Sequence, residues 1–449
     1  MSELSGKRVV VVGLGTSGLA AARLCLGRGA RVVLTDRRAS VPEAEVLRAR
    51  GAELALGGHA GAGLSAADLV VLSPGVPSFP ELEEAEERGV EVIGEVELAV
   101  RAMKHPAPIV AVGGTNGKST VTTLLGAILA EGGRSVFVGG NLGDPLSDHA
   151  DERFDLVVLE VSSFQMERVD TFAPRASLLL NLSPDHLDRY PSEEAYARAK
   201  GNAFLRQGPA DLVVVPHGDE PCLRQARRGK GRVVTFGRED GSDVLVTDAE
   251  IRHVALGMSL PRSAILLQGG HNALNVAAAL AVAVDLGVSR EALLSVLGRF
   301  GGLPHRMVLV GEIGRVRFYD DSKGTNVGAS VTALEGLVED RAVLVAGGKD
   351  KGGSYAPLVA ALRRKGRAAV LLGEAAPLLR EAIGDAVPTE VVTTLDEAVR
   401  RAHAVARPGD AVLLSPACSS FDMFRDYKHR GEEFERAVRE LSAERGGGA

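Results

Sequence analysis

Cysteine is scarce in this chain: Cys25, Cys222 and Cys418 are odd in number and widely separated. They form neither a metal-ligand spacing nor a disulfide framework, so free thiols in a reducing compartment are expected. Long apolar runs are missing as well. No stretch is long enough to span a bilayer, and the opening MSELSGKR enters a short apolar strand without a secretory core. A soluble cytoplasmic protein is therefore expected. An excess of one charge is also absent. The net charge is -6 with acids and bases interspersed, which leaves no footprint for nucleic acid and no polybasic membrane segment. Small molecules remain as partners.

What is present is alternation. Strand-like apolar runs and helix-length amphipathic segments succeed one another nearly throughout the 449 residues, which predicts an α/β protein of parallel sheets with helical crossovers. Length alone suggests about three domains. Arg8 to Val12, Thr16 to Arg28 and Arg31 to Thr35 read as strand, helix and strand. The proline-bearing RAMKHPAP (Arg101 to Pro108) reads as a linker. In the middle block, strands are expected at Ile109 to Val112, Leu156 to Val161 and Leu178 to Leu182, with helices at Ser192 to Arg206 and Asn272 to Gly287. A break at Gly301 to Pro304 precedes a third block, with strands at Val316 to Asp320, Arg341 to Ala346, Ala369 to Leu372 and Val412 to Leu414. The boundaries drawn are 1–97, 98–302 and 303–449. No solenoid repeat is visible, and only the terminal GGGA is of low complexity.

The segment IVAVGGTNGKSTVTTLL (Ile109 to Leu125) reads as a phosphate cradle between a buried strand and a helix N-terminus. Gly113, Gly114 and Gly117 let the backbone curl around an anion, Lys118 would reach terminal phosphates, and the hydroxyl of Ser119 or Thr120 suits Mg2+. Val112 stands where the general ATPase motif has its first glycine, so this loop is shorter at its start. A second loop, Gly13-Leu14-Gly15-Thr16-Ser17-Gly18, fits the dinucleotide fingerprint, with Asp36 at the end of the next strand. Alone it is compatible with NAD, with another nucleotide or with a structural turn. The triphosphate loop at Lys118 argues against a redox enzyme.

Other polar groups follow expected strand ends. Glu160 in LEVSSFQ suits Mg2+, or else caps a helix or forms an ion pair. His186, in NLSPDHLDRY, is a metal ligand, a substrate hydrogen-bonding group or a structural histidine. Lys200 on a helix would by itself be a solvated surface residue. Three loops, Tyr319 to Asn326, Gly347 to Lys351 and Leu414 to Asp422, gather at one expected sheet edge. Cys418 has no histidine nearby in sequence and reads as structural.

In order, GTNGKST, LEVSSFQ, NLSPDHLDRY, HNALN, GLPHR, DDSKGTN and LLSPACSSFD resemble the motifs of the Mur ligases of peptidoglycan synthesis over nearly the whole chain. The shortened phosphate loop is a family trait. Gly113 stands where Thr is common, and Gly324 where Ala is common. The resemblance implies a Rossmann-like first domain, a central P-loop ATPase-like parallel sheet and a Rossmann-like third domain. It also implies ATP-dependent amide ligation through an acyl phosphate, joining D-glutamate to UDP-N-acetylmuramoyl-L-alanine in a monomer.

Residue by residue, the resemblance assigns Gly114, Thr115, Asn116, Gly117, Lys118, Ser119, Thr120, Asn272, His305, Arg306 and Asp321 to ATP, held between the second and third domains. Leu14, Thr16, Ser17, Asp36, Arg37 and Ser73 match uridine diphosphate contacts, and Asn141 approaches the pyrophosphate. Thr325, Lys351, Ser420, Phe421 and Tyr427 match the D-glutamate pocket; Tyr427 replaces a familiar phenylalanine. Two Mg2+ ions are implied, with Ser119, Glu160, His186 and a carbamylated Lys200 as ligands. Lys118, His186, Lys200 and Lys323 are the implied catalytic groups. The rival classes are a NAD oxidoreductase, a folate polyglutamylating ligase and a non-catalytic nucleotide sensor.

Overall fold

The computed structural model describes residues 4–267 and 269–446. Among them the strands gather into three sheets of five, nine and six, with helices between, so the α/β class expected from the apolar alternation is the class adopted. The described residues divide into two compact units. One holds 4–182, 194–267 and 272–300, with the first two sheets; the other holds 183–193, 269–271 and 301–446, with the third.

The first sheet comprises β1 (Arg8–Val12), β2 (Arg31–Asp36), β3 (Glu53–Leu56), β4 (Leu69–Leu72) and β5 (Val92–Gly94). They lie all parallel in the order β3-β2-β1-β4-β5. Valines 9 to 12 are wholly buried, as a strand covered on both faces requires. The order reverses between β1 and β4, so the glycine loop after β1 opens into the crevice where such sheets bind ligands. Gly18 has no alternative there, because a Cβ would strike the Gly13 carbonyl.

The second sheet contains β6 (Ile109–Gly113), β7 (Val136–Gly140), β8 (Leu156–Glu160), β9 (Ala176–Leu179), β10 (Leu212–Pro216) and β11 (Arg232–Gly237). It is completed by β12 (Val244–Val246), β13 (Glu250–His253) and β14 (Met258–Pro261). The order is β14-β13-β12-β11-β10-β9-β6-β8-β7. The parallel sheet read from the sequence is correct as far as β12, but β13 and β14 run antiparallel. Their connections are a few residues long, too short for a crossover. Two further expectations are shortened. The strand expected at Leu178 to Leu182 ends at Leu179, and the helix expected at Ser192 to Arg206 is α-helical only over Glu193–Gly201.

The two sheets of this unit are fastened at Glu97, whose side chain is fully buried. It accepts from Arg101 Nε at 2.7 Å, Asp170 N at 3.0 Å, Thr171 N at 2.8 Å and Thr171 Oγ1 at 2.5 Å. The ion pairs Arg23–Asp148 (2.6 Å) and Arg28–Asp151 (2.8 Å) lie across the same joint.

The third sheet comprises β15 (Val308–Ile313), β16 (Val316–Asp320), β17 (Ala342–Gly347), β18 (Gly366–Leu372), β19 (Thr389–Val391) and β20 (Ala411–Leu414). The order is β15-β16-β20-β17-β18-β19. The antiparallel β15 was not expected. Gly314 and Arg315, with φ of 59° and 63°, make the two-residue left-handed turn of a tight hairpin. Apolar clusters cover both faces of this sheet, and β16, β17 and β20 deliver three polar loops from their carboxyl ends.

Candidate functional site

Around the first glycine loop lies a cleft of about 340 Å³, whose lining includes Leu14, Asp36, Arg37, His59, Ser73 and Phe79. Asp36 closes the loop on itself. Leu14 N donates to its Oδ2 at 2.8 Å, and Arg38 grips the carboxylate through Nε (2.9 Å) and Nη2 (2.8 Å). The guanidinium holds this carboxyl well below the usual carboxylate range. The acid that would meet a ribose in a dinucleotide fold is thus engaged by its own loop. Ser73 Oγ donates to the Gly13 carbonyl at 2.6 Å. Thr16 and Ser17 begin the helix Thr16–Gly27 and do not line the cleft.

His59 had no sequence signal. Its ring stacks on Phe79 at 4.4 Å and contacts Thr35 Oγ1 at 3.0 Å, and burial lowers its pKa.

The loop after β6 has the cradle geometry. Gly114 and Gly117 take φ of 137° and 85°, and the helix Lys118–Glu131 begins directly behind them. That left-handed φ calls for glycine at 117, and a Cβ there would also lie 2.5 Å from Asn275 Oδ1. Ser119 and Thr120 are buried in the first turn. Lys118 Nζ donates to the Thr115 carbonyl at 2.8 Å.

Asn181 explains why β9 ends early. Its carbonyl accepts Thr115 N at 3.1 Å, its Oδ1 accepts Asn116 N at 2.9 Å, and its Nδ2 donates to the Asn116 carbonyl at 3.0 Å. These bonds brace the cradle from behind, and the residues that make them have left the ladder. Lys200 is not a solvated helix lysine. It is 5% exposed, its Nζ donates to the Gly114 carbonyl at 2.8 Å, and it lies 4.6 Å from the Tyr196 ring. Tyr196 OH in turn contacts Thr115 Oγ1 at 3.1 Å. Beside this loop, at the end of β8, Glu160 is buried and accepts from Asn141 Nδ2 at 2.6 Å. Those two predicted residues meet each other directly. A buried carboxylate and a buried hydroxyl are hard oxygen donors of the kind Mg2+ selects. Asn272 sits in the first turn of Gly270–Asp285, its Oδ1 accepting from Asn275 Nδ2 at 3.2 Å.

His186 belongs to the second unit, in a loop packed against the Lys351 loop. Asp188 N donates to the Lys351 carbonyl at 3.3 Å, and Asp185 receives Lys351 Nζ and Asn326 Nδ2, each at 3.3 Å. His186 itself adopts φ 56°. No sequence signal marked Asp185 as the partner of Lys351. Asp321 is buried, accepts Ser415 Oγ at 2.7 Å, and has its pKa pushed up to about 7, chiefly by desolvation. Arg306 contributes the opposite, lowering influence. His305 Nδ1 lies 2.5 Å from Asp320 Oδ2, with Glu435 nearby. That separation is a hydrogen bond, shorter than the roughly 3.3 Å between two ligands of one tetrahedral ion.

Lys323 Nζ stands 3.7 Å from the centre of the Tyr427 ring, and Thr325 N donates to the Lys323 carbonyl at 2.8 Å. Ser420 is buried, while Phe421 is 72% exposed. Cys418 is buried with its pKa pushed up to about 11 by desolvation, and its Sγ contacts Tyr355 OH at 3.3 Å, which fits the structural reading.

Comparison with known proteins adds three domain matches: a Mur ligase MurD-like N-terminal domain at residues 7–94, a Mur ligase middle domain at 112–283, and a Mur ligase glutamate ligase domain at 305–418. Among curated relatives, UDP-N-acetylmuramoylalanine--D-glutamate ligase of Trichlorobacter lovleyi is 45% identical, over 98% of this chain and 100% of its own. The protein of the same name from Desulfosudis oleivorans is 43% identical over 98% and 97%. Two solved structures share the fold. MurF ligase from Thermotoga maritima in complex with ADP has TM-score 0.62 at 17% identity, covering 97% of this chain and 96% of that one. UDP-N-acetylmuramate-alanine ligase from the same organism has TM-score 0.61 at 20% identity, covering 97% and 100%.

Proposed function

This chain belongs to the Mur ligase family, and from that premise we propose that it joins D-glutamate to UDP-N-acetylmuramoyl-L-alanine with ATP. The observation that carries the choice of amino acid is the full-length match to relatives that bear the D-glutamate ligase name. The alanyl carboxylate attacks the γ-phosphorus and ADP leaves. The amine of D-glutamate then attacks the acyl carbon of the acyl phosphate, phosphate leaves, and the amine gives up a proton. Little covalent help from the protein is required. Positioning and positive charge do most of the work.

The proposed division of labour assigns 1–97 to the uridine nucleotide, 98–302 to ATP and 303–449 to the amino acid. The cleft at Leu14, Asp36, Arg37 and Ser73 suits the nucleotide, and Asn141 the pyrophosphate. The cradle from Gly114 to Thr120 holds the ATP phosphates. Asn272, His305, Arg306 and Asp321 take its remaining contacts. Lys118 and Lys323 offset charge on the transferring phosphoryl group. Thr325, Lys351, Ser420 and the backbone near Phe421 and Tyr427 receive D-glutamate. Ser119 and Glu160 would hold one Mg2+, and Glu160, His186 and a carbamylated Lys200 a second. When bound, these ions neutralise phosphate charge. The Lys200 ammonium beside Gly114 lies next to the phosphate cradle, where a carbamate would exchange a repelled cation for an anionic donor. The protein is proposed to work as a cytoplasmic monomer; among the described residues no helix is long and apolar enough to cross a membrane.

Phosphate release from ATP, measured with UDP-N-acetylmuramoyl-L-alanine and a panel of amino acids, tests the reading. D-glutamate is expected to be far preferred over L-glutamate, L-lysine and meso-diaminopimelate. Equal turnover with either diamino acid would overturn it, and turnover of a folate in place of the muramoyl substrate would move the chain to the folate-ligase class.

A further inference from the structure

Arg430 lies four residues into the C-terminal helix Tyr427–Gly446 and is 2% exposed, an unusual place for a guanidinium. Its donors are spent on two different loops. Nε donates to Ser322 Oγ at 3.0 Å and Nη2 to the Ser322 carbonyl at 2.8 Å, while Nη1 donates to the Cys418 carbonyl at 3.3 Å. Ser322 Oγ donates in turn to the Tyr427 carbonyl at 2.8 Å, which closes a ring back to the helix. The third loop is joined by backbone. Lys349 and Ser419 form an isolated antiparallel bridge, and a Cβ at Gly348 would strike the Ser419 carbonyl, so glycine is what lets the two loops approach this closely, with Arg430 Nη1 at 3.3 Å from the same point. The residues gripped adjoin proposed site residues. Ser322 precedes Lys323, Cys418 lies two before Ser420, and Lys349 two before Lys351. Asp320, Asp321 and Asp422 face the buried cation electrostatically, and burial pulls its pKa down to about 10.

We propose that Arg430 is a positioning residue for the ligation step: its fork fixes the Lys323 and Ser420 loops in mutual register and, through the Lys349–Ser419 bridge, the Lys351 loop with them, so that the amino-acid pocket and the Lys323 ammonium form together. This rests on the proposed function. A fork of fixed geometry can hold three acceptors at once, whereas an ammonium on a flexible stem cannot reproduce that pattern. Every one of these bonds goes to loop backbone or to Ser322 Oγ and none to Lys323, Lys351 or Ser420, so Arg430 acts through the loops.

The test is steady-state kinetics of Arg430→Lys and Arg430→Ala in the full-length protein, with thermal unfolding run alongside. Arg430→Lys, which keeps the charge, is expected to fold. It should raise KM for D-glutamate about tenfold and lower kcat about tenfold, leaving KM for the uridine nucleotide within twofold. In Arg430→Ala, millimolar guanidinium or ethylguanidinium should restore activity several-fold, and the same additive should not help the wild type. If Arg430→Lys matched the wild type in kcat and KM, or if every KM moved equally along with lowered thermal stability, the positioning role would be overturned. If Arg430→Ala does not fold, Arg430→Lys and Ser322→Ala decide between the same outcomes. Failure of the underlying reading is separate: the wild type would show no D-glutamate-dependent phosphate release at all.

Discussion

Lys200 donates its ammonium to the carbonyl of Gly114, inside the phosphate loop, at 2.8 Å. A buried cation at that carbonyl is part of the loop's hydrogen bonding and not of a solvated helix surface. Lys200→Ala is expected to lower ligation by about 10²–10³ while leaving the fold intact, the scale typical of losing one charge-stabilising group. Small carboxylates should restore part of the rate by taking the anionic place of a carbamate, and Lys200→Arg should not be rescued. Near-native activity of Lys200→Arg, or a bare lysine by mass spectrometry on gently handled protein, would return Lys200 to a purely structural bond with Gly114.

Asn181 should matter to ATP more than to the amino acid. With the side chain removed, the backbone groups of Asn116 lose both amide partners, and the cradle is freer to adopt shapes that fit phosphate poorly. Asn181→Ala is expected to raise KM for ATP about tenfold, with KM for D-glutamate changed less than twofold. An unchanged KM for ATP would show that the loop keeps its shape without the brace.

The carboxyl of Asp321 sets a pH dependence of stability. Its folded pKa of about 7 lies above the ordinary carboxylate value, so the folded state binds a proton that the unfolded state releases at lower pH. The contribution is complete below about pH 4 and is lost as pH rises towards 7. Between pH 5 and 8, urea denaturation of the wild type should show a fall on the order of 2–3 kcal/mol that Asp321→Asn lacks. Glu95, buried in the first unit with its pKa also raised, changes in the same direction in both proteins, so the difference between them isolates Asp321. Parallel pH curves would disprove the assignment.

Glu97→Ala should cost about 1–3 kcal/mol of stability, because it takes one buried acceptor away from Arg101 Nε, Asp170 N and the two Thr171 donors, while Arg101 keeps Glu91 as a partner. Glu97→Gln should cost less, since one oxygen remains to accept. Chemical denaturation of the two variants checks the order.

Local signals and distant contacts account for what was legible. The cradle was readable because glycine, lysine and hydroxyl residues must follow one another in sequence to wrap an anion, and β1 and β6 because parallel strands covered on both faces are continuous apolar runs. Lys200 could be assigned to the site only by resemblance; its sequence neighbourhood, alanine and arginine, says surface. Asn181, His59, Asp185 and Arg430 were invisible as site residues for a common reason. Each meets a partner well separated in the chain, apart from any periodic pattern, and a polar residue of that kind looks the same whether it faces water or a buried carbonyl. The strands β13, β14 and β15 were missed because short two-sided strands at a sheet edge lack the long apolar runs on which the strand reading depended.

The fastening at Glu97 turns the first unit into a gauge. On the proposed function, the nucleotide end of the muramoyl substrate is seated in the first cleft while its carboxylate must reach the phosphate cradle, and both places belong to one unit whose two sheets are riveted together. The span is then set by the protein and has to be matched by the substrate. A molecule with the correct nucleotide but one amino acid fewer would then be gripped and still fall short of the γ-phosphate, so the fixed span would itself select for length.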